Sequence, residues 1–230
     1  AKKIAGIIGG TPVITTATDI GGKFSTDSVA AANNLHITDI QLAKEIAAAV
    51  VNGEKVGFYS DYPCKKIPDI FSDNAEIGVC VSDNRVKKPF KKTLHMITKN
   101  IVLGVGCRKN TAPKNLSEFI WRIMGENGIS LFRICQLNTI DAKKDEAAVA
   151  EFASKLNIPA NFYSAEQLMN VEGNFSKSEF VMKTVGADNV CERAAAISGG
   201  RIIITKQAEN GITFAVAELS VDIDFEREIL

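Results

Sequence analysis

The chain is poor in the residues that build metal centres. It holds two histidines, His36 and His95, and five cysteines, Cys64, Cys80, Cys107, Cys135 and Cys191, no two of them in C-x-x-C spacing. Neither a zinc site nor a disulfide framework is expected from such an inventory, and scattered thiols fit a reducing cytoplasm. A His-based metal site or a Ser-His-Asp triad would have to be built from His36 and His95 alone, and both read as surface or strand-edge residues. A surplus of one charge is also missing. Lys+Arg and Asp+Glu both count 27, so nothing supports nonspecific nucleic-acid binding. No apolar run approaches the ~20 residues of a membrane span. The opening AKKIAGIIGG lacks the length and cleavage site of a signal peptide. What is present is apolar material. At 46% of 230 residues, it is enough for the core of one large domain or two small ones, and it excludes global disorder.

The stretch 101–111, IVLGVGCRKNT, organises the chain. Ile101, Val102, Leu103 and Val105 form an apolar run bounded by turn residues, which reads as a strand buried on both faces. Gly104 and Gly106 allow a sharp turn and a close backbone approach. Cys107, Arg108, Lys109, Asn110 and Thr111 follow as a polar cluster. A helix over 113–127 comes next, with Leu116, Phe119, Ile120, Ile123 and Met124 on one face. Ligands of open α/β sheets sit outside the carboxyl ends of strands, and helix N-termini with nearby cations suit anions. Gly-x-Gly alone also fits an ordinary first βα turn, because the third glycine of a dinucleotide fingerprint is absent.

Upstream, a helix tail over 2–8, a strand over 12–15 and the cluster Thr15, Thr16, Thr18 and Asp19 precede Gly21-Gly22. The cluster reads locally as turn and cap chemistry. Ser25, Thr26 or Asp27 caps a helix to about Asn33. Asp39 caps a helix over 40–51, which Asn52-Gly53 ends. Strands are expected over 55–59, 75–81 and 93–97. Lys87, Lys88, Lys91 and Lys92 around Pro89 read as a phosphate patch, a solvated linker or an edge strand. A domain boundary falls near Lys99-Asn100. Beyond the 113–127 helix come a strand over 129–137, a helix over 145–156 and a strand over 160–163. Ser164 then caps a turn of helix, in capping-box-like spacing with Glu166. Ser176 or Ser178 starts a helix to Thr184, and Asp188 or Asn189 caps the helix carrying Cys191, Glu192 and Arg193. Strands 202–205 and 212–217 close the chain through a hairpin at Asn210-Gly211. This alternation implies a mostly parallel sheet with one antiparallel edge.

Three polar clusters, 104–111, 164–166 and 186–193, are expected at one edge of that sheet. Arg108, Lys109 and Arg193 beside helix N-termini suit a ligand with several carboxylates. Gly104, Gly106, Cys107, Thr111, Ser164, Glu166 and Asn189 complete the candidate lining. Glu192, Asp188 and Glu166 are the acid/base groups within reach, although Glu192 taken alone reads as a first-turn carboxylate suited to the helix dipole. Cys107 and Cys191 would serve as nucleophiles only if a helix N-terminus lowered their pKa. Packing is the ordinary role of such cysteines.

GVGCRKNT, NTIDAKKDEAAVAEFASKLNIPANFYSAEQL, SEFVMKTVGADNVCERAA and GRIIITKQAENGITFAVA together resemble the carboxyl-terminal domain of the cobalamin-biosynthesis family CbiG, a domain that occurs alone in CobE. PVITTATDIGGKFSTDSVA resembles the end of the family's amino-terminal domain, and roughly 39–98 resembles its middle domain. The resemblance implies an α/β protein with three parts: the end of an amino-terminal domain at 1–37, a small α/β middle domain at 38–98, and a three-layer carboxyl-terminal domain at 99–230. Most of the family's amino-terminal domain has no counterpart here. The implied function is cobalt-precorrin-5A hydrolase, which opens the ring-A lactone of a cobalt corrinoid and releases acetaldehyde. The cobalt would arrive within the substrate, so no protein cofactor or metal site is implied. The expected partner is the corrinoid. Other enzymes of the pathway or a second copy of the chain are left open, and nucleic acid and membrane are not expected. From the chemistry, Arg108 and Lys109 would hold carboxylate arms. The N–H groups at Gly106 and Cys107 would meet an oxyanion or another arm, Thr16, Thr18 and Thr111 would supply hydroxyls, and Glu192 or Asp19 would act as base. The alternative is a carrier that binds the corrinoid without turning it over.

Overall fold

The computed structural model describes residues 24–176 and 179–227. The expected elements over 2–8 and 12–15, and with them Thr16, Thr18 and Asp19, lie outside the described residues. The described residues form two compact units, one running up to Thr98 and resuming at Asp222, the other spanning Lys99–Val221.

In the first unit, α1 (Thr26–Ala32) starts where Ser25 Oγ accepts the Ser28 N–H at 3.4 Å. Strand β1 (Leu35–Ile37) leads to α2 (Ile40–Val51), which starts where Asp39 Oδ1 accepts the Leu42 N–H at 2.9 Å and buries Ala43, Ile46, Ala49 and Val50. Strands β2 (Gly57–Ser60), β3 (Cys64–Lys65), β4 (Ile77–Val81) and β5 (Lys92–Thr98) follow. The sheet order is β1-β5-β4-β2, with β2, β4 and β5 parallel and β1 antiparallel at the edge. His36 lies on that edge strand, as expected. His95 does not: it sits in interior strand β5 and is 9% exposed, because the run from Leu94 to Ile97 is covered on both faces. The basic run is not an edge strand: Lys87, Lys88 and Lys91 lie in the connection between β4 and β5, as a linker would. Lys92 opens β5, and Lys87, Lys91 and Lys92 pair with Asp61, Glu76 and Glu45.

The second unit contains β6 (Ile101–Cys107), α3 (Pro113–Glu126), β7 (Ile134–Ile140), α4 (Ala147–Leu156), β8 (Ala160–Tyr163), α5 (Ala165–Met169), α6 (Glu179–Val185), α7 (Val190–Ala196), β9 (Arg201–Glu209) and β10 (Ile212–Glu218). The sheet order is β8-β7-β6-β10-β9. Strands β8, β7 and β6 run parallel, and β10 is antiparallel to both its neighbours, so it alone is reversed. The reversed strand is interior rather than an edge. Its run Phe214, Ala215, Val216 and Ala217 is fully buried, and β9 takes the edge instead. The hairpin turns at Asn210 (φ 50°) and Gly211 (φ 81°), two left-handed residues matched to strand twist.

Helices α3 and α4 cover one face through Leu116, Phe119, Ile120, Met124, Val149 and Phe152. Helix α7 covers the other, with Cys191 and Ala195 on Val102 and Ala215, and Val190 and Ala194 on Ile140 and Leu168. The layers are helix, sheet, helix. Strand β7 begins at Ile134 rather than residue 129, because Ser130 Oγ accepts the Phe132 N–H at 3.3 Å and starts a 3-10 turn, Leu131–Arg133.

The carboxyl-terminal residues return to the first unit. Strand β11 (Ile223–Asp224) pairs in parallel with β3, and Asn33 bonds the Asp224 backbone twice, at 3.0 and 2.9 Å. Phe225 joins Phe24, Phe58 and Phe71, with ring centroids 5.0–6.1 Å apart. The expected carboxyl-terminal domain, 99–230, thus gives up its last stretch to the first unit. Residues 24–37 of the expected first part are built into the same unit as the second.

Candidate functional site

At the carboxyl ends of β6 and β7 two loops face each other. In the first, Asn110 takes a left-handed conformation (φ 61°), and Thr111 Oγ1 donates to the Arg108 carbonyl at 2.8 Å. Pro113 then fixes the start of α3, whose N-cap, Ala112, offers no side-chain acceptor. The second loop is the 3-10 turn Asp141–Lys143 leading to α4, whose N-cap Glu146 likewise makes no side-chain bond to its own helix. Between the loops lies a cleft of about 600 Å³, lined among others by Lys109, Asn110, Thr111, Lys143, Asp145 and Glu146.

Two helix N-termini without side-chain caps thus meet two lysines across one cleft. That gathers N–H donors at one place, where the charges of Lys109 and Lys143 are matched by Asp145 and Glu146 on the same lining. The site already holds a carboxylate: Glu146 Oε2 accepts the Asn110 N–H at 3.0 Å, and its Oε1 lies 3.5 Å from Lys143 Nζ. A larger cleft of about 740 Å³ on the first unit is lined by Glu45, Glu76, Lys91 and Lys92, which pair with one another and leave little net field.

Of the residues singled out from sequence, Lys109 and Thr111 line the cleft. Arg108 does not. Its N–H bonds the Gly211 carbonyl at 3.0 Å, and its side chain lies along the hairpin turn, where a Cβ on Gly211 would come within 2.4 Å of Nε. Gly106 and Cys107 lie within β6, paired with Thr213 and Ile212 of β10. Gly104 faces α7: an added Cβ would lie 1.8 Å from the Cys191 carbonyl oxygen. Ser164 forms a capping box at α5 with Gln167, three residues on, rather than with Glu166. Burial pushes the Cys107 thiol up, against the pull of nearby Lys143, and pushes Cys191 up to about 11. Neither is poised as a thiolate.

The 186–193 cluster forms a buried polar knot. Arg193 pairs with Asp188 through Nε–Oδ1 at 2.7 Å and Nη2–Oδ2 at 3.2 Å, and its Nη1 donates to the Val171 carbonyl at 2.9 Å. Asn189 Oδ1 caps α7 by accepting the Glu192 N–H at 3.0 Å. The Glu192 carboxylate is 4% exposed. Its Oε2 accepts from the Ser176 N–H at 2.8 Å and Asn189 Nδ2 at 2.7 Å, and its Oε1 from the Lys206 N–H at 2.7 Å. Each charge is directed at a protein partner. Lys143, Asp145 and Glu146 were not singled out from sequence. The signal was there, in the run DAKKDE between the end of β7 and a helix, the counterpart of CRKNT after β6.

A family profile described as "Cobalamin synthesis G C-terminus" matches residues 101–217, and one described as "Cobalamin biosynthesis central region" matches 24–97. Cobalt-precorrin-5A hydrolase of Salmonella typhimurium is 26% identical over 232 residues, covering 94% of this chain and 66% of that protein. The protein of the same name from Priestia megaterium is 25% identical, covering 96% and 65%. The chain therefore spans just under two thirds of the length of these curated relatives. The crystal structure of CobE, described as a protein from the cobalamin (vitamin B12) biosynthetic pathway, aligns with 28% identity and a TM-score of 0.49, over 53% of this chain and 92% of that one.

Proposed function

The chain belongs to the cobalamin synthesis protein G family, and on that premise we propose that it acts on a cobalt corrinoid with free carboxylate arms, as a cobalt-precorrin-5A hydrolase. The observation that carries the reading is the cleft that already binds a carboxylate, that of Glu146, through a backbone N–H and Lys143. A substrate acetate or propionate would meet the same donor types from Lys109, Lys143 and the first turns of α3 and α4. Opening the lactone requires a water to be deprotonated as it adds to the carbonyl. The oxyanion then collapses with loss of the ring oxygen, giving a carboxylate and an alcohol. Proton transfer follows as carbon–carbon cleavage releases acetaldehyde. Asp145, an exposed carboxylate on the cleft wall, is the base we assign. Asp19, outside the described residues, is the alternative. Lys109 and Lys143, the latter beside Glu146, position the substrate.

Asp145→Asn is expected to cut acetaldehyde release from cobalt-precorrin-5A by at least ~100-fold, the contribution of one general base, while leaving corrinoid affinity within about threefold. Undiminished release would remove Asp145 from the reaction and make Asp19→Asn the next variant. One observation favours a carrier instead: the buried carboxylates among the described residues, Glu146, Asp188 and Glu192, all have protein partners. Corrinoid binding with no acetaldehyde from the unaltered chain would support that reading.

A further inference from the structure

The connection from β4 to β5 is unusual. Parallel neighbours are ordinarily joined by a helix that covers the sheet. Here residues 82–91 cross the sheet face without one. Asn84 organises the start, its Oδ1 accepting the Val86 N–H at 3.0 Å. Lys87 stands 5.1 Å over the Tyr59 ring and pairs with Asp61. Phe90 lies flat on two glycines. A Cβ on Gly57 or Gly78 would come within 2.1 or 2.6 Å of its ring. The segment is thus a strap, fastened by the Phe90 ring and by two ion pairs, Lys87 to Asp61 and Lys91 to Glu76, and anchored at its start by the Ser82 N–H on the Met96 carbonyl at 3.2 Å and by Asp83 Oδ1, which accepts from Thr98 Oγ1 at 3.0 Å.

Beneath it, register pairs Cys80 with His95, on the sheet face that carries Gly57 and Gly78. Cys80 is fully buried and His95 is 9% exposed, and neither ring nitrogen of His95 has a hydrogen-bond partner. A buried imidazole without partners is held neutral. On balance the surroundings disfavour a proton: burial and the cationic Arg85 and Lys88 on the strap outweigh the Lys87 backbone, which favours the protonated ring, and β4 offers only the Cys80 thiol. On β1, His36 sits diagonally, opposite Ile97. Beyond Cys80, the Asp61 carboxylate is engaged by Lys87 and Ser82.

We infer that residues 82–91 are a proton-released strap: protonation of His95 lifts it from the sheet face and uncovers Cys80. The direction follows from linkage. Burial and the two cations hold the His95 pKa below its ordinary 6.5 while the strap is closed. Above pH 6.5 both states carry a neutral ring, and opening does not depend on pH. Below it the open state takes a proton that the closed state refuses, so opening gains about tenfold per pH unit until the closed-state value is reached.

The test is labelling of Cys80 by 4,4′-dithiodipyridine in the full chain. Rates are read by peptide mass spectrometry and divided by that of a free thiol at each pH. Hydrogen exchange of α2 reports whether the unit stays folded. The normalised rate is expected to rise from pH 7.5 to 5.5, by up to about tenfold, with α2 still protected, and to be flat in His95→Leu. Gly57→Ala, which pushes Phe90 off its seat, is expected to label rapidly at both pH values. A pH-independent rate in the unaltered chain, the same rise in His95→Leu, or loss of α2 protection in step with labelling would each overturn the proposal.

Discussion

Replacing Gly104 with alanine is expected to destabilise the second unit by at least ~3 kcal/mol, the upper range for overpacking a core, because the clash is with backbone rather than a movable side chain. The added Cβ would lie 1.8 Å from the Cys191 carbonyl oxygen and 2.4 Å from the Ala195 nitrogen. Helix α7 cannot slide away freely: the buried Asn138 side chain donates to the Ala194 carbonyl at 2.9 Å, and Arg193 and Glu192 anchor the same helix from its other sides. Urea unfolding followed through Trp121, the single tryptophan, on α3, measures the effect. A loss under about 1 kcal/mol would mean that α7 does not rest on β6 as described.

The second large effect concerns Glu192. Truncation to alanine is expected to cost ~3–5 kcal/mol, because it strands several buried donors at once. These are the N–H groups of Ser176 and Lys206 and the amide of Asn189. Glu192→Gln keeps the shape but turns an amide NH₂ towards a donor, so an intermediate loss of ~2 kcal/mol is expected. A structural clamp and a catalytic base respond differently. With a clamp, folded Glu192→Gln protein at low temperature retains kcat for acetaldehyde release, while its unfolding midpoint falls. With a base, kcat collapses whatever the stability. The engagement of both carboxylate oxygens predicts the first pattern.

Local signals in the sequence were legible where one side chain decides the local conformation. Asp39, Ser25 and Ser164 cap the helices they precede, and Pro113 opens α3. The buried character of β6 was legible from its uninterrupted apolar run. What was hidden depends on contacts distant in sequence. Gly104 reads as a turn glycine until α7 is placed on it. Glu192 and Arg193 read as site charges until their partners at Ser176, Lys206, Asp188 and Val171 are known. No local pattern announces that Phe225 completes an aromatic cluster begun at Phe24, or that β10 inserts between β6 and β9. The cleft itself was half legible. Its first loop carries Arg108 and Lys109. Its second hides behind Asp141–Lys143, a 3-10 turn without apolar periodicity.

The cleft between the two loops is the place where we propose that the carboxylates of a cobalt corrinoid are held. The most direct measurement is the affinity of the chain for cobyrinic acid, read by quenching of Trp121 fluorescence, with the heptamethyl ester as the blocked counterpart and Lys143→Met as the variant. Binding of the acid is expected to weaken with salt, the ester is expected to show no comparable binding, and Lys143→Met is expected to lose about tenfold or more, as for removal of one charge-assisted contact. Equal affinity for acid and ester, or unchanged affinity in Lys143→Met, would contradict that placement.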